Sequence, residues 1–294
     1  MPSRFVCLNA MPGIGCGFPE NLALGIIYIL SGILCIIFLI KSCFHKKERK
    51  STDLIERQVQ MYWFCATFWL FYRGVLWIVP FNYNKLTFLL FHNGLNAIFF
   101  LIPFAFLILI LCEILYLSFN PGKPVTIFRI ILYVFLSIFL ITGVFLSVFV
   151  ENNDEETENA ESPMYLWTCC TNLICLIFIT VPSVQLIRSY SYPFPQEEDR
   201  SCICTSWLGI IVFDILYIFR IVYNFLQYFN WNPITNIYNK HVFGKDGPTI
   251  GTRIYGFFFY LVLDILVIWM ANATILTLYR RHISSSREPY YLVN

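Results

Sequence analysis

Seven long apolar windows, each bounded by charge, Pro or Gly, dominate the chain and limit what it can fold into. A hydrocarbon core about 30 Å thick is crossed by around 20 helical residues rising 1.5 Å each. The windows meet that length. They run from Asn21 to Ile40, Gln60 to Pro80, Lys85 to Ser118, Val125 to Val150, Met164 to Leu186, Ser206 to Phe229 and Thr252 to Tyr279. Each is read as a helix, because an unclosed sheet leaves backbone groups unpaired in lipid and the windows are too long for strands. Composition points the same way: 58% of the 294 residues are hydrophobic and 13% are charged, where soluble domains hold about 45–50% and about 25%. So few charges cannot clothe a water-facing surface, and the lipid bilayer is the expected solvent. The predicted fold class is therefore all-α: a polytopic seven-transmembrane helix bundle over residues 21–279, with an amino-terminal segment 1–20 and a tail 280–294.

Orientation follows from Lys and Arg, which short cytoplasmic loops retain. With the amino end outside or lumenal, the inner segments hold Lys41, Lys46, Lys47, Arg49, Lys50, Arg57, Lys123, Arg129, Arg188, Arg200, Arg280, Arg281 and Arg287. The outer segments hold Arg4, Lys85, Lys240, Lys245 and Arg253. This bias predicts a cytosolic tail. The run from Glu151 to Ser162, with Glu151, Asp154, Glu155, Glu156, Glu158 and Glu161 and no cation, is expected to be a solvated outer loop. The net charge of +2 is too small for a nucleic-acid footprint.

Residues 1 to 20 lack the basic start and apolar stretch of a signal peptide, so the first helix is expected to insert on its own. Cys7 and Cys16 fall on the oxidising side as a candidate disulfide. Cys43, Cys202 and Cys204 fall on the inner side, as plain thiols or acylation sites. The basic segment with Lys46, Lys47, Arg49 and Lys50 is expected to touch anionic lipid, each cation contributing about 1 kcal/mol near the surface, or to recruit cytosolic partners. In the tail, Tyr290 to Val293 fits the Tyr-x-x-bulky pattern by which clathrin adaptors sort cargo, two side chains of an extended segment filling two pockets.

An ionisable group at mid-membrane costs about 2.5–3.5 kcal/mol on insertion scales, which makes Arg73, Glu113, Asp214, Arg220 and Asp264 the candidate site residues. Counted from the cytoplasmic helix ends, Arg73, Arg220 and Asp264 share a level at roughly 20–22 Å. Antiparallel neighbours six and seven make Asp264 with Arg220 the first expected pairing and Asp264 with Arg73 the second. Asp214, at roughly 12 Å, is expected to bond Asn272, at roughly 10 Å. Glu113, roughly 8 Å in, is expected to reach the interface or a polar neighbour. The cluster either fixes helix packing or forms a polar switch.

Signatures of catalysis are not found. His45, His92, His241 and His282 fall on opposite membrane sides and cannot converge on a metal. No Gly-x-Ser-x-Gly elbow, His-Glu-x-x-His helix or phosphate-cradling glycine loop occurs. Asp214 and Asp264 differ in depth by about 10 Å, too far for an aspartyl dyad. The chain is expected to be no enzyme and to carry no metal or cofactor. The 19% aromatic content is read as core and interfacial belt.

Seven helices and an outside amino end are similar in topology to G-protein-coupled receptors. The rhodopsin-like marks are missing: no Asp-Arg-Tyr closes helix three and no Asn-Pro-x-x-Tyr lies in helix seven. In residues the chain more closely resembles the plant tobamovirus multiplication proteins and their animal relatives, the orphan receptor-like proteins of lysosomal membranes. Three segments carry the likeness. The Phe-rich third helix runs from Phe99 through Pro103 to Glu113 and Tyr116, helix seven from Tyr260 through Asp264 to Arg280 and Arg281, and helix two holds the single Arg73. Asp264 stands where the family has Glu, and no Pro follows it. The resemblance implies a vacuolar or endolysosomal membrane protein without catalysis, docking cytosolic partners such as small GTPases or their regulators. A ligand-activated receptor is the alternative expectation and a small-solute transporter a further one.

Overall fold

The computed structural model describes residues 19–44, 53–78, 95–119, 126–152, 162–191, 197–228 and 257–285. All of them are helical: α1 Pro19–Phe44, α2 Asp53–Ile78, α3 Asn96–Phe119, α4 Thr126–Asn152, α5 Ser162–Ser191, α6 Glu197–Tyr228, and α7 over 257–285. A π-helical turn, Leu261–Leu266, interrupts α7 ahead of Val267–Ser285. Several sequence-stretch expectations lie outside the described residues: the Cys7 and Cys16 pair, the cations Lys46, Lys47, Arg49 and Lys50, the acidic run beyond Asn152, the predicted start of helix three at Lys85, and the tail with Tyr290 and Val293.

Helix ends follow local chemistry more than hydropathy. α1 opens on Pro19 and Glu20 and closes past Lys41, which suits the fixed φ of a first-turn proline and the helix dipole. α2 and α6 begin at Asp53 and Glu197, well before the predicted Gln60 and Ser206, because a helix can continue through polar residues that an apolar window excludes. α3 and α5 run through Pro103 and Pro182, both buried, where surrounding helices compensate the missing backbone donor.

Six helices, all but α2, are long and apolar enough to cross a membrane, and the protein is a multi-pass membrane protein. α2 falls short of the others because Arg73 and the amphipathic rings of Tyr62, Trp63, Trp69, Tyr72 and Trp77 dilute the apolar content of its later part. It lies between α1 and α3, and Tyr62, Trp63, Trp69 and Arg73 are buried there. The ring continues from α3 to α5, α6 and α7, whose π turn touches α1 again. α3 is the inner helix, with 72% of its apolar stretch buried, whereas α4 leans on α3 and α5 from outside with 6% buried. The outward residues are apolar too, among them Ile127, Ile141 and Phe219, as a lipid-facing surface requires.

Aromatic rings fill the interior. Trp69 stands edge-on to Tyr28 and to Phe100, with centroids at 5.8 and 4.9 Å, and its indole N–H donates to Asn96 Oδ1 at 3.1 Å. Phe104 continues the column to Phe213 and Tyr217. A large part of the aromatic content is therefore core, and the apolar walls it builds surround the charges described next.

Candidate functional site: a buried carboxylate shared by four helices

Close approach of α1 and α2 comes first. A Cβ on Gly74 would stand 3.1 Å from the Gly25 carbonyl oxygen and 3.3 Å from Tyr28 Cβ, and one on Gly25 would stand 3.0 Å from the Gly74 carbonyl oxygen. Small residues at this crossing bring the two backbones together. Tyr28 and Arg73, beside that crossing, are thereby placed at one level.

Asp264 receives both. Its Oδ2 accepts a 2.7 Å hydrogen bond from the Tyr28 hydroxyl and lies 3.7 Å from Arg73 Nε. Its Oδ1 accepts from Arg220 Nη1 at 2.7 Å. The same Nη1 donates to the Leu263 carbonyl at 3.1 Å, a backbone oxygen of the π turn, so the irregular turn and the cation support each other. One carboxylate on α7 thus accepts hydrogen bonds from α1 and α6 and pairs ionically with α2, and both expected pairings of Asp264 occur together. Asp264 is 4% exposed and Arg73 2%, whereas the Arg220 side chain keeps 14% exposure.

Rings enclose the cations. The Arg73 guanidinium lies 5.4 Å from the Trp77 ring centre and 5.2 Å from that of Tyr260, and the Arg220 guanidinium 3.8 Å from that of Phe100. The negative ring faces stabilise positive charge by about 0.5–2 kcal/mol each where water is excluded. Phe100 and Tyr260 belong to two of the three segments that carry the resemblance described above.

A second polar layer lies about 12 Å further along α7. Asn272 Oδ1 accepts from the Tyr62 hydroxyl at 2.5 Å, and its amide nitrogen stands 3.9 Å from Cys35 Sγ. Between the layers the Trp269 indole donates to Ser31 Oγ at 3.3 Å. The expected bond between Asp214 and Asn272 is not formed. Asp214 instead accepts from Thr180 Oγ1 at 2.6 Å, because it faces α5 while Asn272 faces α1 and α2. Glu113 pairs with Arg129 at the start of α4, which is the polar neighbour its depth called for.

Tyr28, Tyr62, Thr180 and the π turn escaped the sequence reading. Tyr28 was within reach of it: counted from Ile40 it lies roughly 18 Å deep, close to Asp264, had neutral hydroxyls been counted with the charges. No Pro or Gly between 257 and 266 announces the π turn. Among the described residues no group of three or more His, Cys, Asp or Glu is placed to hold a metal ion. The arrangement holds charge and hydrogen bonds in a fixed geometry. Comparisons of the chain with protein-family models, curated proteins and solved structures return no match.

Proposed function

We propose that the chain is a receptor-like, non-enzymatic protein with seven spans, its amino end lumenal and its tail cytosolic, which docks cytosolic regulators such as small GTPases at an endolysosomal or vacuolar membrane. The carrying observation is the sharing of Asp264 by Tyr28, Arg73 and Arg220 at a π turn. A carboxylate joining four helices is a bistable element: losing one donor frees α7 to shift against its neighbours, and α7 leads directly into the cytosolic tail. Supporting the membrane assignment are the family resemblance and the Tyr290 to Val293 pattern; supporting the orientation is the excess of inner cations.

A ligand-activated receptor is the second reading. It is favoured by the position of Arg73, about 8 Å from the outer end of α2, where a lumenal ligand reaches the cluster more readily than a cytosolic one.

Tyr28→Phe tests the first reading, because it removes one hydrogen bond and leaves the ion pairs in place. Proximity labelling from a tagged carboxyl terminus is expected to change its set of cytosolic neighbours at unchanged protein level. An unchanged set in both Tyr28→Phe and Arg220→Lys, with both proteins at wild-type level, reduces the cluster to helix packing and removes the reading.

A further inference from the structure

Five charges fall inside the predicted spans, and among the described residues four of them are matched. Arg73 and Arg220 share Asp264, and Glu113 pairs with Arg129. Asp214 has no cation beside it. Its one contact among the described residues is the hydrogen bond that Oδ1 accepts from Thr180 Oγ1 at 2.6 Å, which leaves Oδ2 without a donor. A carboxylate accepts on both oxygens. Asp214 also stands midway along the 24-residue apolar span Ile203–Leu226, where so short a side chain reaches neither interface.

The surroundings of Asp214 differ from those of the charged core. Asp264 is closed in by its neighbours, whereas Asp214 and Thr180 are both only partly buried, at the seam where α6 packs on α5. Ile211 and Ile215 flank Asp214 on α6, Ile177 and Val181 flank Thr180 on α5, and each of these four is about half exposed. The seam is thus an apolar outer face with a half-used carboxylate in it. Ionisable groups within a bilayer almost always turn to the bundle interior or to an opposite charge, and Asp214 does the first only in part.

We propose that this seam is the docking face for a transmembrane helix of a second membrane protein, one that carries a Lys or Arg in mid-span and sets it against Asp214. Charge complementarity names the occupant: the apolar rim suits a lipid-embedded helix, and the carboxylate lacks a cation that this chain does not supply. A second copy of the chain does not meet the need. It would bring another Asp214 to the seam, and its intramembrane cations Arg73, Arg129 and Arg220 are already engaged with Asp264 and Glu113.

The test uses the full-length protein in phosphatidylcholine nanodiscs with a synthetic, Trp-flanked Leu/Ala transmembrane helix that carries one Lys at its centre and a photoreactive residue one turn away. Matched helices carry Leu or Glu in place of that Lys. The Lys helix is expected to cross-link at least roughly tenfold more than the Leu helix, as one charge-assisted bond away from water implies. Its adducts, mapped by mass spectrometry, should fall on α5 and α6 around Thr180 and Asp214. Asp214→Lys should reverse the preference, losing the Lys helix and taking the Glu helix, which a carboxylate serving only the fold would not do. Equal yields for the three helices, adducts spread evenly over the lipid-facing helices, or unchanged capture of the Lys helix by Asp214→Asn would each overturn the proposal. So would cross-linking between two differently tagged copies of the chain that Asp214→Leu abolishes, which assigns the seam to a second copy. Full displacement of the Lys helix by equimolar sphingosine would overturn it too, assigning the seam to a lipid amine. The wild-type preference among the three helices and the adduct map decide the matter even where Asp214→Lys does not fold.

Discussion

Asp264 is the side chain on which the bundle interior converges, and the asymmetry of its contacts yields a ranking. Removing the carboxylate breaks the contacts to Arg73, Arg220 and Tyr28 at once; removing Arg220 breaks one and leaves Arg73 and Tyr28 beside Asp264. Breaking a buried ion pair from one side costs about 3–5 kcal/mol. Asp264→Asn is therefore expected to lower thermal stability more than Arg220→Gln does, read from the melting of a fluorescent fusion by size-exclusion chromatography. The opposite order would place the stabilising weight on Arg220 and its Leu263 carbonyl. One layer further in, Tyr62 and Asn272 form a neutral pair. Interhelical hydrogen bonds in membranes average about 0.6 kcal/mol and reach about 1.7, so a double-mutant cycle of Tyr62→Phe and Asn272→Leu is expected to give a coupling energy within that span. A coupling near zero would mean that the two groups are held by their surroundings and not by each other.

Among the elements, the crossing of α1 and α2 sets the register on which the cluster depends. Gly74→Val puts branched carbon 2.9 Å from Ile29 Cγ1 and 3.1 Å from a backbone oxygen that cannot turn away, and overpacking of this kind costs about 1–3 kcal/mol. The expected signature is non-additive: once Gly74→Val has parted the helices, adding Tyr28→Phe should change stability little, since the Tyr28 bond to Asp264 is already lost. Full additivity would mean that the crossing and the cluster are independent. The same elements show what a chain like this discloses before its structure is seen. Apolar length located the helices because bilayer thickness dictates it, and rise per residue put Arg73, Arg220 and Asp264 on one level because height along a helix is a matter of counting. Which way a side chain faces is not. Asp214 and Asn272 share a depth and point to different neighbours, and the π turn that aims Asp264 leaves no Pro or Gly mark. α2 lies at the edge of what hydropathy can recognise: its Glu56, Gln58 and Arg73 are buried in the bundle, and shelter is a property of packing that a window of one helix cannot contain.

At the scale of the whole molecule, α2 decides between an odd and an even number of crossings, and two natural thiols report on it. Cys43 near the end of α1 and Cys204 near the start of α6 are both exposed, and α2, α3, α4 and α5 lie between them in the chain. Four crossings return the chain to the side from which it left, whereas three, with α2 lying in the interface, would put the two thiols on opposite sides. In the proposed orientation that common side is the cytosol. In sealed organelles with their cytosolic face outward, a membrane-impermeant maleimide is expected to label versions retaining only Cys43 or only Cys204 before detergent is added. A cysteine introduced by Asn153→Cys, three crossings from Cys43, is expected to react only after permeabilisation. Protection of Cys204 alone would remove α2 from the membrane and with it the seven-span architecture. Protection of both thiols, together with early labelling of Asn153→Cys, would keep the architecture and invert it, moving the tail and its adaptor-like pattern into the lumen. Because the polar cluster ties α2 to α7 through Arg73 and Asp264, an α2 that spans is also what the proposed coupling of that carboxylate to the tail requires.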